Sequence, residues 1–147
     1  MRNHTSLGLI LVLFIFASAT FAGGDAKEDA KKVQGTWKVI RAQVDGKDVE
    51  AAELKDTKFI FKDDVITFHS LREKNTATFK LNVAKKPRRI DTEVLDGEAK
   101  GDVRVGIYDL AGDKLKLCWS RSTTRPMDFA TKKGDNFINL ELERVKE

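Results

Sequence analysis

The sequence predicts an all-β domain: an eight-stranded antiparallel up-and-down barrel with a short N-terminal helical segment. Three observations predict it. Beyond Gly35 the apolar residues recur with period two: Ala77, Phe79, Leu81 and Val83 point one way, Thr76, Thr78, Lys80 and Asn82 the other. The periodic runs number eight and are joined mostly by short turn signals, which make sequential strands antiparallel neighbours. Each run has one apolar face, so the sheet must close on itself or pack on a second sheet. The meander order favours closure, which removes exposed edges.

The elements follow in chain order. Met1-Arg2-Asn3-His4 is a short basic start, Leu7 to Phe16 is strongly apolar, and Ala17-Ser18-Ala19 and Thr20-Phe21-Ala22 offer small-residue cleavage sites. That order reads as a secretory signal peptide over residues 1–22. The apolar stretch ends at Ala19 and is too short to span a membrane, which takes about 20 residues. No cysteine follows the leader directly, so no lipid anchor is implied, and no later stretch is apolar enough to span. Residues 23–32 are polar and helix-compatible, and Gly35 stops them. The barrel domain takes residues 33–147. Its strands are read at Thr36 to Val44, Lys58 to Lys62, Val65 to Ser70, Thr76 to Val83, Arg89 to Val94, a run from Val103, Lys114 to Ser120, and Phe137 to Val145. Asp45-Gly46, Asp63-Asp64 and Ala111-Gly112-Asp113 supply turns, and Glu50 to Lys55 a helical turn.

Composition narrows the class. Hydrophobic residues make up 41% and charged residues 34%, which is globular, and residues 23–147 are enough for one domain with a sizeable core. The net charge of +4 falls by one when Arg2 leaves with the leader. Such a small excess on a densely mixed surface implies neither nucleic acid nor an anionic membrane as partner. Cys118 is the only cysteine, so no intramolecular disulfide forms and the fold must hold by its core.

Gly35-Thr36-Trp37, at the start of the first strand, resembles the Gly-x-Trp signature of the lipocalin superfamily. QGTWKVI from Gln34, DGK from Asp45, GIYDLAGDKLKLCWS from Gly106 and RPMDFATK from Arg125, in this order, resemble a small exported lipocalin-like family of planctomycete bacteria. The resemblance implies a lipocalin-like barrel and export, and no activity, since none is established for that family. It also implies structural roles for Gly35, Trp37 and Arg144: Trp37 closes one end of the barrel and Arg144 packs across its indole. The absent lipocalin disulfide and the short loops point away from a roomy calyx.

No catalytic set can be assembled. His69 lacks a nucleophile and an orienting partner, and alternation puts Cys118 on the outer face. His69 and Cys118 supply at most two zinc ligands, and the loop from Asp96 to Asp102 lacks calcium spacing, so no metal or cofactor is expected. Lys85-Lys86-Pro87-Arg88-Arg89 is the densest basic run; without interleaved aromatics it reads as a solvated turn.

The inward set is expected to include Phe59, Phe61, Phe79, Leu81, Val105, Ile107, Leu115, Leu117, Trp119 and Leu140. Large residues on facing strands should mostly fill the barrel, leaving a small pocket toward the open end near Trp119. If a small apolar ligand binds, Trp119, Phe79, Leu117 and Ile107 are its expected contacts. The reading is a non-enzymatic module, exported to the periplasm or beyond the cell. Its alternative is an envelope or extracellular interaction module with a filled barrel, whose protein partner the sequence does not identify. N-terminal sequencing of the protein from its native host should start at Gly23; an intact Met1 would overturn export.

Overall fold

A computed structural model describes residues 24–147 and turns the period-two pattern into a closed antiparallel barrel. Helix α1 (Gly24–Lys32) leads into β1 (Gly35–Val44) and the two-residue β2 (Lys47–Asp48). A single helical turn, α2 (Ala51–Leu54), follows. The remaining strands are β3 (Lys58–Lys62), β4 (Val65–His69), β5 (Lys74–Asn82), β6 (Arg88–Val94), β7 (Val103–Ala111), β8 (Lys114–Ser120) and β9 (Phe137–Arg144). From β3 to β9 each strand pairs with its successor, and β1 pairs with both β3 and β9 to close the ring. The eight long strands are the eight read from the sequence; β2 only folds back on the end of β1.

Closure depends on a bulge in β1. Its register with β9 shifts between Val39 and Arg41. Trp37, Val39 and Ala42 are therefore all buried, while Ile40 is 44% exposed and Arg41 pairs outside with Asp48 and Glu141. An unbroken alternation would have aimed the Arg41 guanidinium inward.

One end of the barrel is packed solid. Trp37, Phe61, Phe79, Ile90, Tyr108, Leu115, Leu117 and Leu142 fill it, and the Phe61 and Phe79 rings meet edge-on at 5.3 Å. Helix α1 belongs to this end. Val33, just past the helix, is buried, and its carbonyl accepts from Trp37 Nε1 at 2.7 Å. Asp29 accepts from the Tyr108 hydroxyl at 2.6 Å and from Arg88 at 2.9 Å. Burial, then the Asp29 hydrogen bond and charge, push the Tyr108 hydroxyl well above its ordinary pKa. Arg88 thus departs from the solvated-turn reading. Lys85, Lys86 and Pro87 are exposed, but Arg88 is half-buried and bridges Asp29 and Asp109.

Gly35, Trp37 and Arg144 meet at this end. The Arg144 guanidinium lies 4.3 Å from the centroid of the Trp37 indole. It donates to the carbonyls of Gln34, at 2.6 Å, and Lys32, and its Nε donates to Asp113 at 3.1 Å. Gly35 has φ +111, and a Cβ there would stand 3.3 Å from Arg144 Nη1. A side chain at 35 would be strained by its backbone and would also crowd the arginine.

Strand β7 corrects the expected facing. Gly106 pairs with Trp119, and Tyr108 with Leu117, so Arg104, Gly106, Tyr108 and Leu110 face inward. Val103, Val105 and Ile107 face outward. Ile107 is nonetheless 1% exposed, because a second apolar layer covers that side. It pairs with Cys118, which pairs with Asn139. The segment 121–136 is tied across them: Asn139 Nδ2 donates to the Phe129 carbonyl at 2.8 Å, and Arg125 holds Asp91 and the Gly106 carbonyl. Pro126 in this segment is fully buried. The apolar run on β7 serves this outer layer.

Trp37→Ala should destabilise the protein by about 3–5 kcal/mol, from the cavity it opens. Urea denaturation of both proteins measures this, and an unchanged midpoint would show that the indole is not structural.

Candidate functional site

The other half of the barrel is hollow. A partly enclosed cavity of about 770 Å³ opens at the end opposite α1. It is far larger than the residual pocket expected from the sequence. Its apolar wall comes from inward positions on six strands: Val39, Phe59, Ile66 and Phe68, Ala77, Val94, Trp119, and Ile138 with Leu140 on a seventh. The Phe59 ring sits 5.1 Å from Phe68 and 5.5 Å from Trp119, making an aromatic patch along one side. Val49 and Leu54, at and just before α2, complete the apolar rim.

The wall is hollow here for a local reason. On β5 the inward residue at this level is Ala77, and on β7 it is Gly106. Gly106 is what lets the Trp119 indole lie across β7: a Cβ at 106 would stand 2.4 Å from Trp119 Cδ1 and 3.0 Å from Nε1. The indole N–H is buried against this strand without an acceptor.

Polar groups enter the cavity in two places. At the mouth, Glu53 on α2 and Glu73, Glu98 and Arg121 on the segments between strands are exposed. The loop bearing Glu98 is held by Asp96, whose carboxylate accepts from the Thr76 N–H at 2.9 Å and hydroxyl at 2.7 Å. Those two bonds, aided by Lys74, hold the Asp96 pKa below its ordinary value. Deeper, Thr92 and Arg104 face each other across β6 and β7, and the Arg104 side chain is half-buried.

Of the residues expected to touch a ligand, the structure places only Trp119 in the cavity wall. Phe79 and Leu117 lie in the packed end, and Ile107 lies on the outer face beneath the 121–136 segment. The expected ligand contacts left out Phe68, Arg104 and Ala77, although the facing of Ala77 on β5 was read correctly; Arg104 alone was lost because the alternation was read one residue out of phase on β7.

Comparison with protein-family models, with curated proteins and with solved structures gives no match. The site's chemistry is therefore argued from its own residues. His69 is on the outer face of β4, in register between Lys58 and Lys74, with its Nδ1 buried and unpartnered. Cys118 is on the outer face of β8, across the barrel, so the two are not brought together. Among the described residues no group of three or more His, Cys, Asp or Glu side chains is placed to hold a metal. Nor, among them, is any helix long and apolar enough to cross a membrane.

Cys118 is fully buried, and its thiol is pushed up from 9.0 to about 12 by burial, and further by the Asp135 and Asp128 carboxylates. A raised native pKa means stability that is fully present below about pH 9 and is lost as the pH climbs toward about 12. At mildly alkaline pH the native thiolate fraction is lower than the unfolded one by roughly a thousandfold. Native protein should therefore resist a thiol-specific reagent that labels urea-unfolded protein readily. Equal labelling rates in the two states would contradict the covered position of Cys118.

Proposed function

We propose that this chain is an exported, non-enzymatic lipocalin-like module that binds a small apolar or amphipathic molecule inside its barrel. The observation that carries this reading is the cavity of about 770 Å³, walled by apolar and aromatic side chains and reached from one end. Ligand sites typically span about 300–1,000 Å³, are mostly apolar, and carry a few placed polar groups. A filled interior would have favoured the interaction-module alternative; here the filling stops halfway along the barrel.

Export rests on the leader pattern in residues 1–22, which lie outside the described residues. The four motifs beginning at Gln34, Asp45, Gly106 and Arg125 support membership of the lipocalin-like family, together with the Trp37–Arg144 stack. The lack of catalytic activity is supported by the separation of His69 from Cys118 and by the position of that thiol under a protein layer.

Ala77→Trp tests the site. Ala77 lies on the cavity wall and an indole there would take up cavity space without removing any existing packing. Titration with an environment-sensitive hydrophobic fluorophore should give saturable binding to wild type, weakened by about tenfold or more in the variant. Undiminished binding by a folded Ala77→Trp protein would place the ligand elsewhere, and no binding by wild type would favour the filled-barrel alternative.

A further inference from the structure

We propose that the cavity ligand is an amphipathic monocarboxylate, with its carboxylate held by Arg104 and its apolar body laid against Phe59, Phe68 and Trp119. This rests on the binding role proposed above and adds the ligand's chemical class.

The argument begins with where charge lies in the cavity. Five charged residues line it, and Glu53, Glu73, Glu98 and Arg121 are all exposed at the mouth. Arg104 alone is half-buried. It projects inward from β7 at the level of Thr92, one inward position above Gly106. Three other half-buried arginines are matched, Arg88 with Asp29 and Asp109, Arg125 with Asp91 and Arg144 with Asp113, whereas Arg89 is unmatched like Arg104 but lies on the outer face, in register with Ile107. Among the described residues the Arg104 side chain has neither an ion-pair nor a hydrogen-bond partner. No ion pair or side-chain hydrogen bond among the described residues accounts for its place in the cavity wall.

The same group is well suited to a carboxylate. Its planar fork donates two parallel N–H bonds to the two carboxylate oxygens. The surroundings select against a small, fully hydrated anion. Much of the remaining wall is apolar, and the acids at the mouth disfavour free anions that bring no apolar surface to bury. A molecule with both parts satisfies both features: the chain buries against the aromatic patch and the head neutralises the interior cation.

Isothermal titration calorimetry at near-neutral pH with dodecanoate and dodecanol, which share a chain and differ in the head, tests this. Wild type should bind dodecanoate more tightly by roughly ten- to a hundredfold. Arg104→Leu should abolish that preference while still binding dodecanol. Arg104→Gln, which keeps polarity and much of the bulk, should also abolish it and covers the case in which the leucine variant fails to fold. Equal affinity of wild type for both probes, or a preference retained in a folded Arg104 variant, would overturn the carboxylate assignment and leave the binding cavity standing. Binding of neither probe, with the hydrophobic fluorophore still binding, would overturn the assignment alone. Failure of all three would overturn the cavity reading as well.

Discussion

The stack of Arg144 on Trp37 is the contact on which the rest of this barrel depends. It sits where the first and last strands meet, and Trp37 and Arg144 are register partners across the β1–β9 seam. A barrel closes only if its terminal strands pair, and that pairing is the most non-local in the chain, so its loop-closure cost is the largest. The site offsets that cost with several interactions at once. The indole is fully buried and its N–H is satisfied by Val33, while the guanidinium ties the linker carbonyls of Lys32 and Gln34 and reaches Asp113 in the β7–β8 turn. Gln34 extends the knot by exchanging hydrogen bonds with the Asp63 backbone in the β3–β4 turn. One end of the barrel is thereby fixed by five elements: the helix, the first strand, the last strand and two hairpin turns.

Because that end is fixed, the other can be hollow. Stability is concentrated in two apolar layers, the packed tier around Trp37 and the outer layer in which Ile107, Cys118 and Pro126 are buried. The outer layer stiffens β7 and β8 from behind, and these are the strands that carry Arg104, Gly106 and Trp119 on their inner faces. Arg125 links the two layers directly, since it donates to the carbonyl of Gly106, the residue whose missing side chain seats the Trp119 indole. The cavity wall is held in shape by packing outside it, so the interior need not be filled to be ordered.

Much of this was legible from residue pattern alone. Strict alternation on β3, β5 and β8 gave the correct inward faces, because Lys58, Lys62, Lys80, Lys114 and Lys116 cannot be buried unpaired and fix the phase. The Gly35-Thr36-Trp37 start and the distant Arg144 were readable through the lipocalin resemblance. On β7 the pattern misled. Val103, Val105 and Ile107 form the more apolar face, yet a covered outer surface rewards apolar residues as an interior does, and only the tertiary cover distinguishes them. That single phase error hid Arg104, which lies on the face opposite Val103, Val105 and Ile107. The bulge at Ile40 was also silent, since neither Ile40 nor Arg41 announces an extra residue. The extent of the cavity was not readable either, because volume depends on how far apart facing strands stand, which composition does not encode.

The size of the cavity bears on what it contains. A dry void costs roughly 24 cal/mol per Å³ where its lining cannot collapse, so about 770 Å³ would cost on the order of 20 kcal/mol. That exceeds the whole stability of an ordinary domain, about 5–15 kcal/mol. This space cannot persist as a dry void, and its lining has the groups that hydration needs: Thr57, Asn75, Thr92, Ser120 and Arg104 interrupt an otherwise apolar wall. Water there is poorly served along the Phe59, Phe68 and Trp119 side and well served near Arg104. An apolar chain entering there would displace the water least well bound, and a charged head would replace the water best bound with a stronger partner. On the proposed reading, the asymmetry of the wall would orient such a ligand as well as select its class: apolar body on the aromatic side, charged head at β7.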